Sequence, residues 1–211
     1  MELLSQLKEA VIGGKVDEAV ATTEKALAGG GSVREILDKS LIAAMDEVGE
    51  RYSSGKIFVP QMLRSAKTMH ACMDVLKPHL QEGDVTSKGR VVIGTVKADL
   101  HDIGKNLVTM MLEGAGFSVV DLGVDVSPDK FVQGVQEESA DILGMSALLS
   151  TTMPSMTVAV EALEKAGIRD QVKVLIGGAP VTDKFAQQIK ADAYAPDAGT
   201  AVATAKKLMG L

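Results

Sequence analysis

The chain has 211 residues, enough for one large or two small domains, and its 46% hydrophobic and 24% charged residues are typical of an ordinary soluble globular protein. The net charge of −6 argues against nucleic acid as the main partner, and no uninterrupted apolar stretch approaches the length of a membrane span. A single cysteine, Cys72, excludes internal disulfides, and the N-terminus lacks the features of a signal peptide, so we expect a cytoplasmic protein.

The first part of the chain, residues 2 to about 82, has helical apolar spacing throughout. The first two predicted helices each end at a run of glycines. Ser32 to Glu35 forms a capping box, in which the Ser hydroxyl and the Glu carboxylate each bond an unpaired amide of the first turn. The third helix ends at Ser53-Ser54-Gly55, and Pro60 suits the first turn of a fourth. Four amphipathic helices with short connections predict a small bundle.

The polar, glycine-flanked segment 81–89 predicts a linker, which gives a helical bundle at 1–82, a linker at 83–89 and a second domain at 90–211. In the second domain five β-α units alternate, which implies a doubly wound parallel sheet with helices on both faces, Rossmann-like or flavodoxin-like. The pattern does not determine the strand order, and for five units we expect 2-1-3-4-5. We predict strands at 91–96, 118–122, 142–146, 172–176 and 193–195, and helices at about 104–114, 128–138, 154–166, 181–190 and 198–209.

A polar loop follows the first predicted strand, at the sheet edge where open α/β sheets bind ligands. His101 stands there two residues after Asp99, and an imidazole held by a carboxylate is a usual form of tuned metal ligand. Gly104 would let a bulky ligand approach the backbone closely. Asp99 could also be the N-cap of the next helix, either in place of this role or together with it, and Asp102 and Lys105 are expected at the surface or at the helix start.

Two further patches follow the third and fourth predicted strands, namely Ser146-Ala147-Leu148 and Gly177-Gly178. In a doubly wound sheet all three loops meet at one edge and can line a single crevice. No phosphate loop and no Gly-x-Gly-x-x-Gly turn is present, so nucleoside triphosphates and NAD are disfavoured. Small residues dominate the crevice and predict a deep slot for a large, flat or elongated ligand; they are Gly94, Gly104, Ser146, Gly177 and Gly178.

The spacing of these patches resembles the cobalamin-binding signature of base-off, His-on corrinoid proteins. In this chain the first piece is Asp99-x-His101-x-x-Gly104. A gap of forty-one residues separates it from Ser146-x-Leu148, and a gap of twenty-eight residues separates that piece from Gly177-Gly178. The bundle segment from Gly49 to Pro60 resembles the helical cap over the cobalt in cobalamin-dependent methionine synthase. The similarity covers nearly the whole chain, which therefore resembles a small corrinoid protein of the anaerobic methyltransferase systems.

The resemblance implies a role for each site residue. His101 would coordinate cobalt from below in place of the cofactor's dimethylbenzimidazole, and Asp99 would accept a hydrogen bond from the other imidazole nitrogen. A hydroxyl would end this relay; by count it is Thr152, with Thr151 and Ser150 as the alternatives.

The resemblance also implies the surroundings of the cofactor. The implied cofactor contacts are Asp99, His101, Asp102, Ile103, Gly104, Ser146, Leu148, Thr151, Thr152, Gly177 and Gly178, with Tyr52 and Val59 in the cap. Tyr52 and Val59 match the cap positions that face the methyl group, with Tyr for the usual Phe and Val for Leu, and are equally plausible as bundle core.

By the same resemblance the chain is a methyl carrier rather than a complete enzyme. Its cofactor would be cobalamin or a related corrinoid, as methylcobalamin or hydroxocobalamin, with cobalt as the metal. A donor-specific methyltransferase would load the methyl group, and a second would pass it to a folate, pterin or thiol. A reductive activating protein is a further expected partner; nucleic acid and membrane are not expected. Each transfer would make or break the cobalt–imidazole bond, and the bundle would move about the linker.

The sequence does not identify the methyl donor. Aryl methyl ethers or quaternary amines of a bacterial system are favoured over a methanogen's methylamines, and methanol is also open. Two other functions use a similar corrinoid domain. A cobalamin-dependent mutase subunit would need a substrate barrel, and a cobalamin-sensing regulator would need a DNA-binding module, for which we expect no room before the bundle.

Overall fold

The computed structural model describes residues 2–79 and 87–211, which divide into two compact units. One unit comprises the residues up to Ser87 together with Gly114–Gly116, and the other comprises Lys88–Glu113 and Phe117–Leu211. Most of the predicted linker at 83–89 lies outside the described residues. Within the described part of the chain, no helix is long and apolar enough to cross a membrane.

The first unit is a helical bundle, as predicted. Helix α1 packs against α2, α4 and α5, and apolar side chains from these helices, such as Leu7, Met62 and Leu76, are fully buried. Its helices are α1 (Glu2–Ile12), α2 (Val16–Ala28), α3 (Val33–Ile36), α4 (Ala43–Ser53) and α5 (Val59–Leu76), with a π-helix at Leu37–Ile42 and a 3-10 turn at Lys77–His79.

The third predicted helix is not regular, because the π-helix lies between α3 and α4. Ser40 in this segment is fully buried and donates a 2.9 Å hydrogen bond to the carbonyl of Leu4 in α1. The predicted capping box forms only in part. Ser32 Oγ accepts a hydrogen bond from the amide of Glu35, but the Glu35 carboxylate pairs with Lys39 one turn later.

The second unit is a five-stranded, all-parallel sheet with the strand order β2-β1-β3-β4-β5, which confirms the expected order and the fold class. The strands are β1 (Arg90–Thr95), β2 (Ser118–Asp121), β3 (Ile142–Ser146), β4 (Lys173–Gly177) and β5 (Ala193–Ala195). The helices are α6 (Ile103–Gly114), α7 (Pro128–Glu138), α8 (Pro154–Lys165), α9 (Asp183–Gln188) and α10 (Ala198–Leu208).

Side chains of the sheet pack with those of α7, α8 and α9 into one apolar core, in which Phe131 of α7 is fully buried. Gly94 belongs to this core and does not line a slot, so that prediction is wrong. A Cβ at Gly94 would lie 2.9 Å from Phe131 Cε1 and 3.0 Å from Val126 Cγ2. The glycine is needed because the aromatic ring of α7 occupies the space beside β1.

Candidate functional site

The ends of three strands lie side by side at the carboxyl edge of the sheet. Thr95 of β1 is in register with Ser146 of β3, which in turn is in register with Gly177 of β4. The loops that start after these strands therefore begin next to one another, as the sequence pattern predicts for a doubly wound sheet.

Asp99 joins two of these loops. Its carboxylate is fully buried, and Oδ1 accepts hydrogen bonds from the His101 amide at 3.1 Å and faces His101 Nδ1 at 2.8 Å. Oδ2 accepts hydrogen bonds from the Leu148 amide at 2.8 Å and from Thr152 Oγ1 at 2.7 Å. The loop after β1 is thus fastened to the loop after β3 through one carboxylate.

These hydrogen bonds decide the protonation state of Asp99. Burial by itself raises the pKa of the Asp99 carboxyl, but hydrogen bonds from Thr152 Oγ1, from the Leu148 amide and from His101 outweigh it and hold the pKa well below its usual range. Asp99 is therefore an anion at neutral pH. An anion at this position accepts a hydrogen bond from His101 Nδ1–H and thereby fixes the tautomer of the ring.

His101 is presented to solvent, since half of its side chain is exposed. Because Nδ1 faces Asp99, the nitrogen that points away from the carboxylate is Nε2, which carries the lone pair in this tautomer. Exposed apolar side chains lie close to His101 in the chain and in the loop after β3, whose Leu148 amide bonds Asp99: Leu100 is 71% exposed and Ile103 84% exposed, and Leu148 and Leu149 are also exposed. An outward imidazole with an apolar rim is a surface built for a ligand.

The donor set at this site suits only one kind of metal. Among the described residues, no group of three or more His, Cys, Asp or Glu side chains could hold a metal ion. A lone imidazole cannot hold a free ion by itself, since protein metal sites use three or more ligands. It can supply one axial ligand to a metal that a macrocycle already holds.

Of the three hydroxyls considered for the end of the relay, Thr152 makes the bond to Asp99. Its side chain is buried, whereas Ser150 and Thr151 are exposed. Thr152 Oγ1 also lies 2.9 Å from the carbonyl of Leu149, three residues earlier in the chain.

The alternative role of Asp99 as a helix cap is wrong. Helix α6 begins at Ile103, and Asp102 precedes it, with its carbonyl accepting a 2.7 Å hydrogen bond from the Asn106 amide. Asp102 is exposed and also accepts a 3.1 Å bond from Asn106 Nδ2. Lys105 lies in the first turn as expected but not at the surface, because it is 3% exposed and pairs with Asp121 at the end of β2.

The predicted glycines differ in what surrounds them. No atom lies within 4 Å of the position of a Cβ at Gly104, so the space beside the first turn of α6 is open. A Cβ at Gly177 would lie 2.9 Å from the Ala195 carbonyl oxygen, and one at Gly178, whose φ is +129°, only 1.9 Å from that of Ala147. Gly177 and Gly178 are therefore needed for packing at the ends of β3, β4 and β5.

Tyr52 and Val59 belong to the first unit, apart in sequence from the other predicted site residues. Tyr52 lies near the end of α4 and is half-buried. Val59 opens α5 and is 37% exposed, next to Phe58, which is 68% exposed. Phe58, the residue before α5, and Val59, its first residue, are thus exposed apolar side chains.

The chain is similar to known proteins along nearly its whole length. Residues 89–205 match the B12 binding domain family, and residues 3–77 match a second family with the same description. The chain is 46% identical to dimethylamine corrinoid protein 1 and 40% identical to trimethylamine corrinoid protein 1, both of Methanosarcina acetivorans. Each alignment covers 99% of this chain and 98% or 97% of the relative.

A solved structure is similar over the same length. A chain of the methanol:cobalamin methyltransferase complex MtaBC from Methanosarcina barkeri aligns with a TM-score of 0.89 and 31% identity, over 99% of this chain and 80% of that one. The site residues fit a corrinoid, since His101 offers one axial nitrogen, the rim is apolar and the space at Gly104 is open.

Proposed function

We propose that the methyl group this chain carries between methyltransferases comes from a methylamine, and that dimethylamine is the preferred donor. The premise is that the chain belongs to the B12-binding corrinoid proteins. The corrinoid is the cofactor, and methyltransferases are the partners. The observation that carries the site assignment is the Asp99–His101 pair, with Nδ1 at 2.8 Å from a buried carboxylate and half of the His101 side chain exposed.

The bound corrinoid supplies a cobalt that accepts a methyl group from one methyltransferase and gives it up to the next. His101 would hold the cobalt of the corrinoid through Nε2. Asp99 would accept a hydrogen bond from Nδ1–H and so keep Nε2 free to bind the metal. Thr152 is the proposed end of this relay, because its hydroxyl donates a hydrogen bond to the negatively charged carboxylate of Asp99.

The surroundings of the cofactor are also part of the proposal. The apolar side chains of Ile103 and Leu148, both exposed, would lie against the corrinoid. The open space at Gly104 is the proposed path of its nucleotide tail. Further proposed contacts are Asp102, Ser146, Thr151, Gly177 and Gly178.

The helical unit is the proposed cap. The exposed apolar side chains at the start of α5 support this, and Tyr52 and Val59 are the positions proposed to face the methyl group. A cap must be displaced when a methyltransferase reaches the cofactor, so the bundle at 1–82 would move relative to the domain at 90–211 about the segment 83–89. A cytoplasmic location and a reductive activating protein complete the proposal.

The donor assignment rests on the relatives. Those compared are corrinoid proteins named for dimethylamine and trimethylamine, at 46% and 40% identity. This favours a methylamine over the aryl methyl ethers and quaternary amines that sequence reasoning preferred. No observation at the site favours a mutase or a regulator as a second function.

The metal ligand is tested with three proteins reconstituted with hydroxocobalamin: wild type, His101→Ala, and His79→Ala, which alters an exposed histidine of the bundle as a control. We expect wild type and His79→Ala to retain the corrinoid through gel filtration, with absorption spectra of a displaced nucleotide base and a histidine ligand. His101→Ala should lose the histidine-ligated spectrum. A wild-type protein whose corrinoid keeps its own base on the metal would contradict the assignment.

The donor is tested by loading. The reconstituted wild-type protein is incubated with methyltransferases specific for dimethylamine, trimethylamine, methanol and an aryl methyl ether, each with its own substrate. We expect the dimethylamine enzyme to load it with the highest kcat/KM for the corrinoid protein. A higher kcat/KM with the methanol or aryl ether enzyme would contradict the choice of donor without affecting the assignment of His101.

A further inference from the structure

The residue directly before Asp99 is held in an unusual backbone conformation. Ala98 has a φ of +66°, in the left-handed region that residues with a Cβ rarely occupy. Ala98 is exposed, so the packing of its own side chain does not enforce this conformation. Because Ala98 and Asp99 are consecutive, the conformation of Ala98 sets the direction in which the Asp99 carboxylate enters the protein.

The contacts that hold Ala98 come from Asp125, in the loop between β2 and α7. Asp125 Oδ1 accepts a 2.8 Å hydrogen bond from the Ala98 amide, and Oδ2 lies 3.0 Å from Lys97 Nζ. The Asp125 amide donates a 3.0 Å hydrogen bond to the Asp99 carbonyl. Three consecutive residues, 97–99, are therefore tied to this one aspartate.

Asp125 is itself in the left-handed region, with a φ of +54°. Asp tolerates this conformation better than most residues with a Cβ. The next residue, Val126, forms an isolated parallel bridge with Val96, which places the two loops side by side. The hydrogen bond from Ala98 and the charge of Lys97 lower the pKa of the Asp125 carboxyl, so it is ionised as an acceptor.

The two contacts of the carboxylate differ in importance. The ion pair with Lys97 is exposed on both sides, and exposed pairs of this kind contribute little. The bond to the Ala98 amide is made to a backbone group in an unfavourable conformation, and no other acceptor for that amide is found in the described structure. The contact with Ala98 is therefore the one that matters for the shape of the loop.

We propose that Asp125 is a positioning residue for the metal ligand, because its carboxylate holds Ala98 left-handed and so directs Asp99 at His101. The inference rests on the proposed role of His101. Within the described residues Asp125 forms no hydrogen bond or ion pair with the side chain of Asp99 or His101, so it acts through the backbone of residues 98 and 99.

The first test compares four proteins for hydroxocobalamin affinity and for the fraction with the histidine-ligated spectrum. Asp125→Ala removes the acceptor, and we expect its Kd to rise roughly three- to tenfold, less than the roughly 10- to 100-fold typical of a direct partner of a metal ligand. Asp125→Asn keeps a carbonyl oxygen and tolerates a positive φ, so it should stay close to wild type. Asp129→Ala, which alters an exposed carboxylate in the first turn of α7, is the control.

The second test is a rescue. Glycine adopts a positive φ without the steric cost of a Cβ, so Ala98→Gly should need less help from Asp125. If Asp125 works through Ala98, the double variant Ala98→Gly/Asp125→Ala recovers at least half of the affinity, on a logarithmic scale, that Asp125→Ala lost. A double variant that binds no better than Asp125→Ala overturns the proposal.

A third measurement separates this inference from the assignment of His101. The ring nitrogen chemical shifts of His101 in the protein without corrinoid report the tautomer and do not depend on metal binding. We expect Asp125→Ala to reduce the share of the tautomer protonated at Nδ1. If Asp125→Ala lowers only the unfolding temperature and leaves both the His101 shifts and the spectra as in wild type, Asp125 serves stability alone and the proposal is wrong.

Discussion

Thr152 Oγ1 donates a 2.7 Å hydrogen bond to Asp99 Oδ2, and both side chains are buried. The bond joins residues 53 positions apart, so it exists only when the loops after β1 and β3 have come together. A hydroxyl has one proton, and Thr152 Oγ1 lies near both Asp99 and the Leu149 carbonyl. The shorter distance and the negative charge of Asp99 assign that proton to the carboxylate.

This assignment predicts different effects for two neighbouring threonines. Thr152→Val keeps the shape of the side chain but leaves Asp99 Oδ2 with the Leu148 amide as its remaining donor, so we expect the free energy of unfolding to fall by about 1–2 kcal/mol. Thr152→Ser keeps the hydroxyl donor, so its free energy of unfolding should fall less. Thr151→Val, at an exposed position, should stay within about 0.5 kcal/mol of wild type.

Urea denaturation of the protein without corrinoid checks this prediction. A loss of stability in Thr151→Val equal to that in Thr152→Val would mean that the effect comes from the turn itself and not from the bond to Asp99.

A second prediction concerns the dependence of stability on pH. Because the pKa of Asp99 in the folded protein lies below its ordinary value of 3.8, the unfolded chain binds the proton more readily. The stabilisation from Asp99 is therefore fully present above the unfolded pKa and is lost as pH falls from there toward the folded pKa. Asp99→Asn lacks this carboxyl, so its free energy of unfolding should be lower at neutral pH but should fall less steeply in acid.

The measurement is a series of urea unfolding curves between neutral pH and the acid range for both proteins. Comparing the two slopes removes the contribution of the other carboxyl groups, which both chains share. Parallel curves would show that Asp99 keeps an ordinary pKa in the folded protein.

The elements that sequence reasoning located best are those with local signals. The sequence pattern predicts helix α7 at 128–138, and the helix spans Pro128–Glu138. Its start is marked locally, because Ser127 accepts a hydrogen bond from the Lys130 amide as a cap and Pro128 suits the first turn. Asp99 and His101 are two residues apart, so their pairing is a local pattern, whereas their role as part of a cofactor site remains a prediction from the resemblance to corrinoid proteins.

What sequence reasoning missed depends on contacts between distant segments. The π-helix at Leu37–Ile42 contains Ser40, which bonds the Leu4 carbonyl 36 positions away, and the apolar spacing there is equally compatible with a regular helix. The contact of Asp125 with Ala98 spans 27 positions and follows from the adjacency of β1 and β2. No pattern along the chain predicts which distant residues form such pairs.

The pair of Lys105 and Asp121 predicts an asymmetric response to mutation. The Lys105 side chain is 2% exposed, whereas that of Asp121 is 33% exposed. Removing Asp121 leaves a buried cation with Asn106 Oδ1 as its remaining partner, so Asp121→Ala should destabilise the protein by roughly 3 kcal/mol. Lys105→Met leaves the Asp121 carboxylate without its partner, but water can reach that carboxylate. The free energy of unfolding should therefore fall less than in Asp121→Ala.

Both variants are compared by urea denaturation with Asp129→Ala, an exposed acidic position in the same unit, as the control. A larger loss of stability for Lys105→Met than for Asp121→Ala would contradict the prediction, because methionine keeps the apolar stem and the loss would then come from the bonds of the ammonium group.

Gly178 is predicted to be required for folding itself. An added Cβ would lie 1.9 Å from the Ala147 carbonyl oxygen, and the backbone φ of +129° is one that residues with a Cβ avoid. We expect Gly178→Ala to lower the free energy of unfolding by at least about 3 kcal/mol, with or without corrinoid. Thermal unfolding measured by circular dichroism checks this, and a Tm equal to that of wild type would contradict it.

Gly104 is predicted to behave in the opposite way, because no atom lies within 4 Å of the position of an added Cβ. In the protein without corrinoid, Gly104→Ala should leave stability unchanged or raise it by up to about 1 kcal/mol, since alanine favours the helical conformation of α6. With hydroxocobalamin the added methyl group would occupy the proposed path of the nucleotide tail, so the affinity should fall. Unfolding curves and corrinoid titrations of the same two proteins separate these effects, and an unchanged affinity would place the tail elsewhere.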